Sequence, residues 1–338
     1  MSSSPSNPSP EDHIPEAGPD GPGAVILDSG SHQVEGWVTA APPKFIEVLQ
    51  HVAHFPVLLH RHRDLITTSV KRELSARFRG TVLGWAWPLV TPMLMFAIYF
   101  FIFTKLLGVK FGDLPEDQRS AMGVFMFVGI LVWSAFGESV SRCTGVIVDN
   151  GNLIKKVAFP TEILPLNQVL VHMVTMAFGV VAFIVVTWLT PLFGLHVWQP
   201  PEMTRLPWLL LLMPLQVLFT YGLGLILGTL QVYLRDTLQI VTVAITVWMF
   251  ATPIFWTPEL IINDGVRGLG EWTWIVEANP VYHLVYAWRD VLMSRLPEMV
   301  FHQPIEASVL TFSYWAIGSF VVGYTFFLLA RRRFADEI

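Results

Sequence analysis

The residues able to do chemistry in this chain are few, and most of them are basic. Arg72, Arg77 and Arg79 crowd one short stretch, Lys155 and Lys156 stand side by side in another, Glu138 and Arg142 lie at i, i+4, and Arg235 adjoins Asp236. Arginines suit phosphate oxygens, which accept charge-assisted bonds from the guanidinium fork. A lysine pair in a short polar and apolar stretch suits docking to a soluble partner, although a plain connector would read the same. Glu138 and Arg142 are in the favourable order for a helical pair. So near an apolar run, they are either a functional pathway or a neutralising pair at its end. Turnover chemistry has no such support. None of the six lysines follows a glycine, which excludes a P-loop, and neither His-Glu-x-x-His nor Gly-x-Ser-x-Gly occurs. Cys143 is the only cysteine, so no intramolecular disulfide or cysteine cluster can form. His60 and His62 flank Arg61 without an evident third metal ligand. Acidic pairs occur only at Glu11-Asp12, Glu116-Asp117 and Asp336-Glu337, poorly placed to hold Mg²⁺ beside a membrane.

The elements that must position these residues are apolar helices. Of 338 residues 53% are hydrophobic and only 14% charged, with a mean hydropathy of +0.53, against about 25% charged in ordinary soluble domains. Six windows of 18 residues or more contain no Asp, Glu, Lys or Arg: 80–104, 120–137, 163–201, 206–234, 237–258 and 307–330. A hydrocarbon core of about 30 Å needs about 20 apolar residues in a helix. The windows therefore predict an all-α integral membrane protein with spans at about 84–107, 121–142, 166–190, 207–233, 237–257 and 309–330. The longest stretches outside them, 1–79 and 259–306, fall short of the ~100–200 residues of a separate soluble domain. A net charge of −5 gives no reason to expect a nucleic-acid partner. With both ends inside, cytoplasmic segments hold 14 of the 21 basic residues, Arg331-Arg332-Arg333 among them, which predicts an N-in, C-in chain in the cytoplasmic membrane.

Three divisions follow. Residues 1–43, rich in Pro, Ser and Gly, read as a disordered tail, either a solvated extension or a partner-binding arm. The first basic residue is Lys44, which argues against a secretory signal. Residues 44–79 read as an amphipathic interfacial segment, with Ile66, Val70, Leu74 and Phe78 along one helix side and Lys71, Arg72, Arg77 and Arg79 elsewhere. Residues 80–338 form the transmembrane domain. Within it, Trp85 and Trp87 favour the interface, and Pro92 breaks a hydrogen bond within the first span, as a kink or as part of a cavity wall. Gly224-x-x-x-Gly228 permits close helix approach. Pro253 and Pro258 interrupt the outer end of the fifth span. Val281–Trp288 is apolar but too short to cross, so it reads as an interfacial or re-entrant helix.

Several of these segments, in order, resemble the permease subunit of ABC-2 type polysaccharide exporters, the transporters of lipid-linked O-antigen, teichoic acid and mycobacterial galactan. They are the basic amphipathic helix, then RFRGTVLGWAWP from Arg77, NLIKKVAFPTEILP from Asn152, YLRD from Tyr233, TPIF from Thr252, and Asn279-Pro280. Thr161 stands where that family commonly has a basic residue. The resemblance implies a homodimer carrying two copies of a cytoplasmic ATPase, which binds ATP and Mg²⁺ while this chain binds no cofactor and supplies the path. Asn152, Leu153, Ile154, Lys155, Lys156, Val157, Phe159 and Pro160 would then form the coupling helix that docks on the ATPase. Arg72, Arg77 and Arg79 would meet the lipid diphosphate, and the short helices between the last two spans would form the external gate. Trp85, Trp87, Thr252, Pro253, Phe255 and Trp256 are candidates for channel or gate, since aromatic rings can hold the flat faces of sugars loosely. Glu138, Arg142, Arg235 and Asp236 are the cytoplasmic charge pairs. An exporter of drugs or small lipids shares this topology, and a membrane-embedded transferase is the reading from a different class.

Overall fold

A computed structural model describes residues 54–106, 121–156, 160–194, 199–257, 273–293, 304–331 and 334–337, together with the backbone of Ile26–Leu27 and Val34–Glu35. The chain divides into Met1–Pro43 and Lys44–Ile338. In the first unit, β1 (Ile26–Leu27) pairs antiparallel with β2 (Val34–Glu35). The rest of the expected tail lies outside the described residues.

The second unit is helical. Before the first span come α1 (Phe55–Arg61) and α2 (Arg63–Phe78), separated at His62. Ile66 and Leu74 on α2 are buried while Lys71, Arg72, Arg77 and Arg79 are exposed, so the four-residue spacing does mark the packed side. The helix α1 is anchored differently. Phe55 is buried, with its ring 5.4 Å from that of Tyr221, 4.9 Å from Phe320 and 5.5 Å from Tyr324.

The bundle is built from α3 (Trp87–Phe100), α4 (Ala121–Asp149), α6 (Ile163–Leu189), α7 (Leu209–Tyr233), α8 (Thr237–Ala251) and α11 (Ile305–Ala330), with α5 (Gly151–Lys156) between α4 and α6. Among the described residues, five helical segments are long and apolar enough to cross a membrane: Gly84–Phe103, Ala121–Asp149, Ile163–Phe193, Leu206–Tyr233 and Ile305–Ala330. The fifth expected span is the exception. At 15 residues, α8 reaches only about 22 Å. Thr252 leaves the helix with extended backbone, and Ile254 NH turns back to the Thr252 carbonyl, so the segment up to Trp256 is irregular. The 39-residue window at 163–201 resolves as expected into one span and a connection, closed at Gly194 with φ 71°. After α8 come α9 (Thr273–Glu277) and α10 (Pro280–Leu292), and after α11 comes α12 (Phe334–Glu337).

Helix α4 is the central post: 78% of its apolar window is buried, against 17% for the first span. In hydrocarbon there is no hydrophobic drive between helices, so they associate through close packing. Gly224 and Gly228 do this against α4, where a side-chain carbon would meet Cys143, and Gly222 does it against α11, with Ser319 and Phe320 backbone in its path. The Gly222–Gly323 crossing is the tightest. A Cβ on Gly323 would collide with the Gly222 carbonyl oxygen, which is backbone and has nowhere to go. Gly323→Ala should therefore lower the thermal unfolding midpoint in detergent by several degrees, since overpacking costs about 1–3 kcal/mol. Gly318→Ala, on the same helix with nothing within 4 Å of its added carbon, should leave the midpoint unchanged or raise it slightly.

Candidate functional site

Polar side chains inside the bundle gather at its two ends. At the end carrying α2 and the last turns of α4, a cleft of ≈ 420 Å³ opens between α2, α3, α4 and α6. Its inner wall grades from polar to apolar. Arg77, Glu138 and His172 stand at one end beside Trp87, the hydroxyls of Thr91, Ser134 and Thr175 lie midway, and Met95, Tyr99 and Phe127 close the other end. Pro92, inside α3, is one of the residues lining this cleft.

The polar end is held by bonds between α2 and α6. Glu73 Oε2 accepts from Asn167 Nδ2 at 2.8 Å and from Gln168 Nε2 at 3.2 Å. One turn along α2, Arg77 Nη2 lies 2.9 Å from His172 Nε2, while His172 Nδ1 lies 2.8 Å from the Gln168 carbonyl. A carbonyl only accepts and a guanidinium only donates, so Nδ1 carries the proton, Nε2 accepts from Arg77, and the ring is neutral. Glu138 Oε2 is also 3.5 Å from Nε2. His172 is 3% exposed and Glu138 64%, so the carboxylate stands at the mouth and the ring inside.

At the opposite end, the buried Arg289 of α10 reaches across the bundle. Its Nε donates to the Phe125 carbonyl at 3.1 Å, Nη1 to Pro253 at 2.7 Å and Nη2 to Ile254 at 3.1 Å, and its guanidinium carbon sits 3.3 Å over the Phe125 ring. The irregular segment after α8 leaves carbonyls without helical partners, and Arg289 supplies their donors. Gly129 makes room for it, because a Cβ there would strike Nη2. Asn279 completes the clasp. Its Oδ1 accepts from Val281 NH as an N-cap and from Trp248 Nε1 at 2.9 Å, and its Nδ2 donates to Thr252 Oγ1 at 2.9 Å. Trp288 Nε1 donates to Gln216 Oε1 at 3.1 Å, and Arg205 Nη1 meets Asp290 at 2.7 Å.

Residues 64–293 match the family described as ABC-2 type transporter. The match opens on α2 and closes just past α10, so it takes in both polar clusters. The chain belongs to the ABC-2 type transporter membrane family. It is similar to an "O-antigen export system permease protein RfbA" of Myxococcus xanthus, 30% identical over 83% of this chain and 97% of that one. It is also similar to a protein of the same name from Klebsiella pneumoniae, 28% identical over 81% and 94% of the two chains.

This ABC-2 chain is a multi-pass integral membrane protein, and its geometry sorts the residues read from the sequence. Of Arg72, Arg77 and Arg79, Arg77 lines the cleft, whereas Arg72 and Arg79 are exposed beyond it. Trp87 lines the cleft too. Trp85 is 56% exposed, its ring 6.1 Å from Phe78. Thr252, Pro253, Phe255 and Trp256 lie at the far end with Arg289, so these aromatic residues do not share one lining with Trp85 and Trp87. Trp256 donates its indole NH to the Phe250 carbonyl at 3.0 Å. The expected Glu138–Arg142 pair is not formed: among the described residues the nearest ionisable group to the Glu138 carboxylate is the neutral ring of His172 on α6, with Oε2 3.5 Å from Nε2. Arg235 and Asp236 make the exposed turn between α7 and α8, held by Gln231, which donates to the Arg235 carbonyl and accepts from Leu238 NH. Asn152 and Lys155 are exposed on α5, with Leu153 and Ile154 half-buried. Val157 and Phe159 lie outside the described residues, as does the side chain of Lys156, and Pro160 follows them.

Sequence reasoning missed His172 and Arg289. His172 sits in a charge-free window, but Asn167, Gln168 and His172 put three polar groups on neighbouring positions of one apolar span, a signal that was there to use. Arg289 falls one residue past the apolar stretch Val281–Trp288 in the sequence, but the helix runs on to Leu292 and carries it. Arg289→Lys should lower the thermal midpoint nearly as far as Arg289→Ala, because an ammonium cannot reproduce a fork that meets three carbonyls, and each buried carbonyl left unpaired costs about 1–3 kcal/mol. A Lys variant that unfolds like the parent would contradict the assignment.

Proposed function

We propose that this chain is the membrane subunit of an ATP-driven exporter that carries a lipid-linked polysaccharide across the cytoplasmic membrane. The observation that carries the reading is the cleft, polar at the Arg77 end and apolar at the other, in a chain that matches nearly the whole length of permeases named for O-antigen export. A polyprenyl diphosphate has the same polarity: a doubly anionic head for a guanidinium, and a hydrocarbon tail for Met95, Phe127 and the surrounding lipid.

The partner chemistry follows from what the sequence lacks. Without a P-loop, ATP and Mg²⁺ belong to a separate cytoplasmic ATPase. The short α5, exposed at Lys155 and Asn152, is its docking element. Two copies of this chain and two of the ATPase make the transporter. The first span favours such pairing, since Met93, Leu94, Ile98 and Phe101 are exposed on it and it is the least buried of the five. The fork of Arg289 and the cap of Asn279 hold the irregular segment after α8 as the external gate, with Phe255 and Trp256 on it.

Depletion of the chain should cause lipid-linked glycan to accumulate inside the cell; altered drug sensitivity without that accumulation would favour a small-molecule exporter. Changing Lys155 and Lys156 together to Glu should at least halve the recovery of a co-expressed ATPase with the purified chain. Undiminished recovery would count against α5 as the docking element.

A further inference from the structure

The polar end of the cleft is arranged as an exchange. His172 Nε2 is an acceptor whose proton-free lone pair is occupied by Arg77 at 2.9 Å. The same atom faces the Glu138 carboxylate at 3.5 Å. Two acceptors at that distance repel, and Arg77 is what makes the arrangement tolerable. Nδ1 is fixed as the donor to Gln168 at 2.8 Å, so the ring cannot relieve the contact by changing tautomer without losing that bond.

We propose that Arg77 is parked on His172 while the cleft is empty, that an anionic head group draws it away, and that His172 then takes up a proton at Nε2 and pairs with Glu138. This rests on the reading of the cleft as the site of a lipid diphosphate, and adds to it a proton that binds with the lipid. Arg77 is the movable member: its side chain is exposed on α2, and its guanidinium reaches both His172 and the cleft. Once it turns to phosphate, the buried Nε2 loses its hydrogen-bond donor and is left 3.5 Å from the Glu138 carboxylate. A proton from solvent, which reaches the mouth beside the largely exposed Glu138, converts that repulsion into a charge-assisted bond. No covalent bond changes. The charged groups facing the ring are Arg77 from α2 and Glu138 and Arg142 from α4. The net effect is an anion and a proton entering together, so the site meets part of the head-group charge with a charge it did not carry before.

The sign of the pH dependence follows from linkage. A ligand that binds the protonated ring more tightly must bind more weakly as pH rises, by at most about tenfold per pH unit for one coupled proton.

The test is calorimetric titration of the full-length chain in lipid nanodiscs with farnesyl diphosphate, in two buffers of different ionisation enthalpy at one pH, with farnesol as the uncharged control. Wild type should bind the diphosphate in preference to farnesol and take up close to one proton per ligand. Glu138→Gln and His172→Gln should each take up clearly fewer. Diphosphate binding without proton uptake, or equal uptake by all three proteins, overturns the exchange while leaving the cleft as a diphosphate site. Equal binding of farnesol and its diphosphate overturns both. The wild-type titration decides the matter by itself if either variant does not fold.

Discussion

A polar group carried into hydrocarbon must find its partner within the protein, because no water is there to supply one. This constraint accounts for more of the present structure than hydropathy does. Hydropathy brings the helices into the membrane, but it does not say which way they face or where they break. Those choices follow the polar side chains. Arg289 is at its place because α8 ends early and leaves carbonyls to be met. Asn279 joins the start of α10 to Trp248 and Thr252, and Gln216 joins α10 to α7 through Trp288. Gly129 is a glycine because the guanidinium passes there.

The two ends of the bundle use the constraint in opposite ways. Around Arg289 the guanidinium donates to three backbone carbonyls, which are fixed, and α10 is buried throughout. That end is a clasp. Arg77 instead meets a side chain, His172, which the largely exposed Glu138 also faces, and a cleft adjoins them. An arginine that can leave its partner for a ligand is suited to recognition, and one locked on carbonyls is suited to holding shape. Both kinds of site would serve the proposed exporter, which has to admit a charged lipid at one face and stay closed at the other.

The legibility of the sequence divides along the same line. Long charge-free windows gave five spans close to their observed bounds, because twenty apolar residues in a row have few other fates. The basic helix before them was readable from its four-residue spacing, and the glycines at 224 and 228 mark a real contact with α4. Partner choice was not readable. Glu138 and Arg142 satisfied the local rule for a helical pair, yet the group that faces Glu138 is His172, from an element 34 residues along the chain. Nor could Phe55 be placed, since nothing local to it indicates a pocket formed by Tyr221, Phe320 and Tyr324. Periodicity reports which side of a helix is packed, and tertiary structure alone reports against what.

The central claim is that the cleft beside α2 receives the lipid-linked glycan. It is tested most directly by placing a photoreactive amino acid at Thr91 or Ser134 in the cleft, and at Tyr314 on the outward face of α11. The cells would carry a hydrolysis-deficient ATPase partner, and adducts with radiolabelled lipid-linked saccharide would be measured. Labelling at the two cleft positions well above that at Tyr314, and lost when Arg77 is changed to Glu, is the result this account requires. Equal labelling at all three positions would contradict it.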